Sequence, residues 1–211
     1  MLKVWGRKNS LNVQIVMWTI AELGLDYERY DIGHRFGGND TPEYLAMNPN
    51  GLVPVITDGG DPIFESAAIC RYLAARYGDD AFWSEDPARR AQIDKWAEWA
   101  KATLYPVIGM QIFWPLVRMT EEERDMEAVG RGVVTYDRLL GIAESQLEGH
   151  AYLAGDVLTL SDIAFGHQLF RYYTLPIDRP ARPRVEAYYE RLSRRPAYAE
   201  HVMVSYDSLR P

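Results

Sequence analysis

The stretch NGLVPVI, from Asn50 to Ile56, reads as a strand through Val53, Val55 and Ile56, yet Pro54 stands inside it. Proline has no N–H to give a sheet ladder, so in a strand it belongs at an edge, at the start or at a bulge. A cis Val53–Pro54 bond that ends pairing at a sheet edge accounts for it, since X–Pro bonds take that form at modest cost. The N–H and C=O of Val53 then face outward, where they can pair, strand-like, with the backbone of a short extended peptide.

Outward from this point the chain alternates between strand and helix patterns. Leu2–Trp5 is a short apolar strand, and Val13, Val16, Met17 and Ile20 recur as one face of a helix stopped at Gly24. Tyr27–Ile32 alternates like a second strand, and Thr41-Pro42 supplies an N-cap and a first-turn proline for a helix through Met47. After the expected strand Val53–Thr57 come the turn DGGDP, a strand at Ile63–Phe64 and a helix with Ser66, Ile69, Cys70 and Leu73 on one face. This order predicts an α/β unit over residues 1–78.

From Asp79 the pattern changes. Residues 79–87 read as a linker closing on the N-cap and proline Asp86-Pro87, and residues 88–211 read as an all-helical unit. ARRAQIDKWAEWAKATLYPVI is expected to be helical with a bend at Pro106, and Thr120 with Glu123 to form the capping box of the next helix. Thr159 and Asp162 form a second box, opening the apolar TLSDIAFGHQLFRYYTL as one buried helix. Shorter helices follow near Val185–Arg194 and Ala197–His201.

Two strand-to-helix junctions carry chemistry. At the first, WGRKNSLNV, Ser10 stands at a helix N-terminus, where partial positive charge favours an anion. A redox C-x-x-C site would have cysteines where this chain has Ser10 and Val13, so the protein's own sulfur does no exchange there. A hydroxyl in that place suits another molecule's thiolate. At the second junction Glu65-Ser66 opens a helix: its free N–H groups suit a carboxylate, the Ser66 hydroxyl adds a hydrogen bond, and Glu65 can hold an amine. Helix capping alone is the competing reading of that pair.

Composition narrows the partners. The 211 residues carry a net charge of −7 and no Lys/Arg run, which argues against nucleic acid and anionic membranes. No apolar stretch approaches the roughly 18 residues of a membrane span, and MLKVWGRKNS lacks a signal peptide's apolar region, so the cytoplasm is the expected location. The single cysteine, Cys70, excludes an internal disulfide, and His34, His150, His167 and His201 lack ligand spacing, so no metal is expected. The aromatic-rich LYPVIGMQIFWPLV offers Tyr105, Met110, Phe113 and Trp114 as walls of an apolar pocket, with Tyr172 as a further candidate.

Together these motifs resemble the cytosolic glutathione S-transferases. The family pattern N-P-x-G-x-V-P-x-[VIL] matches Asn48–Ile56, E-S-x-A-I-x-x-Y-L matches Glu65–Leu73, and AGDVLTLSDIAFG (Ala154–Gly166) matches the second domain's cap motif. The resemblance covers essentially the whole chain and is strongest with bacterial members of the serine type, theta- and phi-like. It implies a thioredoxin-like N-terminal domain with a cis-proline and an all-helical second domain. Glutathione is implied as co-substrate, with Ser10 stabilising its thiolate. Val53 next to Pro54 would pair with the cysteinyl backbone, Glu65 and Ser66 would bind the γ-glutamyl end, and Asn39 would hold the glycyl carboxylate. Leu52 replaces the polar residue of many relatives, and Asn12 stands where it can share the role of Ser10. The implied protein is a homodimeric transferase attacking a hydrophobic electrophile. A glutathione-dependent disulfide reductase or peroxidase, and a non-catalytic binding module, are the alternatives.

Overall fold

The computed structural model describes residues 1–211. Strand β1 (Leu2–Trp5), helix α1 (Leu11–Glu22) and strand β2 (Tyr27–Tyr30) form a parallel βαβ unit, followed by α2 (Pro42–Met47), β3 (Val55–Thr57), β4 (Ile63–Phe64) and α3 (Ser66–Tyr77). The sheet order is β2-β1-β3-β4, with β3 antiparallel to both of its neighbours. This mixed sheet is the thioredoxin-like arrangement. Helices α4 (Pro87–Trp99), α5 (Trp114–Arg118), α6 (Met126–Gln146), α7 (Leu160–Gly166), α8 (Leu169–Thr174), α9 (Pro183–Ser193) and α10 (Pro196–His201) make up the rest.

The Val53–Pro54 bond is cis. Its place differs from the expectation, because β3 begins only at Val55 and is an interior strand. Pro54 therefore sits at a strand start, where its missing N–H costs no ladder bond. The preceding loop is pinned from outside. Asn48 Nδ2 and the Tyr44 hydroxyl donate to Leu52 O at 2.7 and 2.8 Å, and Asn39 Nδ2 donates to Gly51 O at 2.8 Å.

Helix α1 is buried on all sides rather than on one: Leu11 and every residue from Val13 to Ile20 are buried. The reason is its position between the sheet and the helical unit. Trp18 is wholly buried and meets Tyr198 of α10 edge-on, with ring centroids 4.8 Å apart. Gly166 of α7 lets the two units touch, because a Cβ there would lie 2.4 Å from Leu192 and 3.1 Å from the Trp18 ring.

One helical expectation is refined and two are corrected. Pro106 lies between two π-helical stretches, Ala100–Leu104 and Val107–Phe113, so the helix changes winding there. Wider winding accommodates a residue that breaks the ordinary i→i−4 ladder, and such stretches often lie at functional sites. The Thr120–Glu123 bonds form only a local turn, and α6 starts at Met126 with Asp125 accepting from Ala128 N at 2.9 Å. The Thr159–Asp162 capping box opens α7 as expected, but the helix breaks at His167-Gln168 before α8. Gln168 there turns its amide to Ala100 O and Ala164 O, at 3.2 and 3.0 Å.

Candidate active site

Ser10 is the N-cap of α1, in extended conformation, and its hydroxyl makes no capping bond. Its carbonyl accepts from Val13 N and Gln14 N, whereas Leu11 N and Asn12 N have no backbone acceptor. A hydroxyl and two free N–H groups thus meet at the positive end of a 12-residue helix. Opposite them, neither the N–H nor the C=O of Val53 has a hydrogen-bond partner.

Ser66 forms the first turn of α3 and is buried, and neither its hydroxyl nor the Glu65 carboxylate caps that helix. The capping-only reading of the pair is therefore not what the geometry shows. Glu65 has φ of +70°, a conformation that costs a non-glycine residue about 1–2 kcal/mol and that gathers at functional sites. Glu65→Gly is accordingly expected to keep the melting temperature within a few degrees of wild type while weakening glutathione binding. Thermal denaturation beside calorimetry checks this; a large loss of stability with unchanged affinity would contradict it.

Lys101 was not legible in the sequence as part of this site. Its Nζ donates to Asn12 Oδ1 at 2.9 Å and to Ser66 Oγ at 3.3 Å, and Ser66 Oγ lies 3.3 Å from Asn12 Oδ1. Burial lowers the Lys101 pKa, and the charge of Glu65 opposes that. The Ser66 hydroxyl and the N-terminus of α3 thus meet beside Glu65, with the Lys101 ammonium bonded to that same hydroxyl. Asn12, Asn48, Leu52, Val53, Pro54, Glu65 and Ser66 line a recess of about 40 Å³ there.

The recess adjoins a wider cleft of about 270 Å³ between the two units. Ser10, Asn12 and Val53 form one wall, and Tyr105, Met110, Phe113 and Trp114 the other. Tyr172 does not line it: its side chain is buried against Tyr136, with centroids 5.0 Å apart. The cleft receives Arg171 instead, one residue earlier on α8. Asn39 lies outside both linings, its amide engaged with Gly51. A larger groove of about 610 Å³ runs past Tyr77 and Tyr152, and its Arg195 is already paired with Glu22.

Other reactive side chains are structural. Cys70 is buried and takes a hydrogen bond from Thr19 Oγ1 at 3.3 Å, and burial pushes its thiol up to about 12. Burial pulls His167 down to about 3, so the imidazole stacked on Tyr105 stays neutral and is only a weak proton acceptor at ordinary pH.

Residues 1–75 match the family described as Glutathione S-transferase, N-terminal domain, and residues 104–196 match Glutathione S-transferase, C-terminal domain. The chain belongs to the glutathione S-transferase family. It is 38% identical over 206 residues to glutathione S-transferase GstB of Escherichia coli, covering 97% of this chain and 99% of that one. Glutathione S-transferase 3 of Zea mays is 33% identical over 210 residues, 95% of this chain and 93% of that one. Among solved structures, the theta class glutathione S-transferase from Xanthomonas axonopodis pv. citri with glutathione bound superimposes with a TM-score of 0.91 at 40% identity. That match covers 97% of this chain and 98% of that one.

Proposed function

We propose that in this glutathione transferase Ser10 and the N-terminus of α1 hold the glutathione thiolate, which attacks an electrophile bound against Tyr105, Met110, Phe113 and Trp114. Glutathione is the co-substrate. The observation that carries the assignment of roles is the uncapped Ser10 hydroxyl beside two free helix N–H groups, facing the unpaired backbone of Val53. The cysteinyl backbone pairs with Val53, which sets the thiol at Ser10. The γ-glutamyl carboxylate goes to Ser66, Lys101 and the N-terminus of α3, and its amine to Glu65. A free thiol with pKa near 8.5 is about 3% ionised at pH 7, and lowering it by about two units makes roughly three quarters of it thiolate.

Reductase or peroxidase chemistry would use the same thiolate, but the apolar wall of the cleft suits the body of an organic electrophile. A panel of aryl halides, disulfides and hydroperoxides decides among them, with fastest turnover expected for an aryl halide. Exclusive turnover of disulfides or peroxides would replace the conjugation reading. Ser66→Ala is expected to weaken glutathione binding by about 1–3 kcal/mol, the usual cost of losing a hydrogen bond to a charged group. Calorimetry measures it, and unchanged affinity would remove Ser66 from the site.

A further inference from the structure

Three guanidinium groups face the interdomain cleft without an anionic partner. Arg7 comes from the loop after β1, Arg118 from the end of α5 and Arg171 from α8, and the cleft lining holds no aspartate or glutamate. None of the three forms an ion pair, in a chain whose other arginines are mostly paired with carboxylates. Arg171 is 5% exposed; one Nη donates to Asn9 O at 2.6 Å, while its Nε is buried with no partner. The Nε of Arg7 is buried and unpartnered as well.

Each of two guanidiniums lies on an aromatic wall of the cleft. Arg171 Cζ is 4.0 Å from the Phe113 ring centroid, and Arg118 Cζ is 4.1 Å from that of Trp114. Stacking covers the faces of these groups and leaves their in-plane N–H edges for a carboxylate or similar anion. Burial pulls Arg171 down to about 9, and repulsion from Arg7 and Arg118 acts in the same direction. Burial, followed by repulsion from Arg118, lowers Arg7 too. An array of cations that desolvates and repels itself is disfavoured until an anion joins it.

We propose that the electrophile this cleft selects carries a negatively charged group on an aromatic or apolar body, the anion held by Arg7, Arg118 and Arg171 and the body lying against Phe113 and Trp114. The inference rests on the transferase reading above and refines its substrate class. In the reaction with an activated aryl chloride, the glutathione sulfur bonds to the ring carbon that bears chlorine. Chloride departs with the bonding pair, and the thiol proton has already passed to solvent on ionisation.

The test compares 4-chloro-3,5-dinitrobenzoate with the corresponding benzamide, each kcat/KM divided by the uncatalysed rate constant with glutathione. The anion is expected to be favoured about tenfold or more, chiefly through KM, and less so at high salt, which screens charge. Arg118→Gln and Arg7→Gln, both at partly exposed positions, are each expected to cut that preference several-fold, with folding verified by circular dichroism. Equal normalised rates, or variants that leave the preference intact, would overturn the inference while the transferase reading stands. If the variants weaken glutathione itself, and glutathione esterified at its glycyl carboxylate binds the wild type equally weakly, the arginines serve that carboxylate and the inference falls. No turnover of either chloride would bring down both readings.

Discussion

Asp162→Ala is expected to destabilise the fold by about 3–5 kcal/mol, the range of a broken buried polar network, and to lower the melting temperature by roughly 10 °C. The carboxylate is wholly buried and accepts from five donors: Leu153 N at 2.9 Å, Thr159 N at 2.8 Å, the Tyr188 hydroxyl at 2.9 Å, Thr159 Oγ1 at 3.0 Å and Ser161 Oγ at 3.4 Å. Burial raises the Asp162 pKa, and hydrogen bonds from Leu153, Thr159 and Tyr188 offset part of that rise. Alanine would leave these donors in the dry interior, which is the expensive way to lose a hydrogen bond. Tyr188→Phe, which removes one donor together with its need for a partner, should cost only about 1 kcal/mol. Thermal or urea denaturation of both variants tests this, and equal small losses would show that Asp162 is not a hub. The effect reaches the active site because α7, which Asp162 caps, packs through Gly166 on Trp18 of α1, the helix headed by Ser10.

Ser10→Ala is expected to lower kcat/KM at pH 7 by roughly three- to twenty-five-fold, the loss of thiolate that follows when a hydrogen bond to a charged group, worth about 1.5–3 kcal/mol, is removed. The helix N–H groups remain, so activity should be reduced and not abolished. The loss should shrink as pH rises above the free thiol's range, where glutathione ionises unaided. Glutathione affinity should change little, because the proposed contacts to Val53, Ser66 and Lys101 are left intact. Asn12 stands in reserve: its Oδ1 accepts from Lys101 and Ser66, and its amide N–H₂ lies beside the Tyr105 hydroxyl on the facing wall of the cleft. If that amide substitutes for the missing hydroxyl, Ser10→Ala with Asn12→Ala costs more than the two single losses added.

What was legible in the sequence is what local chemistry specifies. Pro54 inside a strand pattern, Ser10 and Glu65-Ser66 at strand-to-helix junctions, and the Thr159–Asp162 box each announce themselves within a few residues. Lys101, Arg7, Arg118 and Arg171 do not, because each belongs to a separate element and becomes part of a site only through packing. Arg171 is hidden inside the apolar HQLFRYYTL, where the aromatic Tyr172 was the candidate. The break at His167-Gln168 resets the helix, and α8 turns Tyr172 into the Tyr136 cluster and Arg171 into the cleft. Thr120 N and Oγ1 both donate to the Glu123 carboxylate, which is half of a capping box and closes only a turn, since a short motif fixes local geometry without fixing where a helix begins. Helix α1 shows the same limit from the other side: its sequence marks one apolar face, and only the docking of the helical unit buries the second.

The central claim is that the N-terminus of α1, with Ser10, ionises the thiol of bound glutathione. Titrating the ultraviolet absorbance of the thiolate in the protein–glutathione complex measures it directly. The wild-type midpoint is predicted about two units below the free thiol's value near 8.5, and the Ser10→Ala midpoint about one to two units above wild type. A midpoint equal to that of free glutathione, unchanged in Ser10→Ala and in the double variant with Asn12→Ala, would contradict the account.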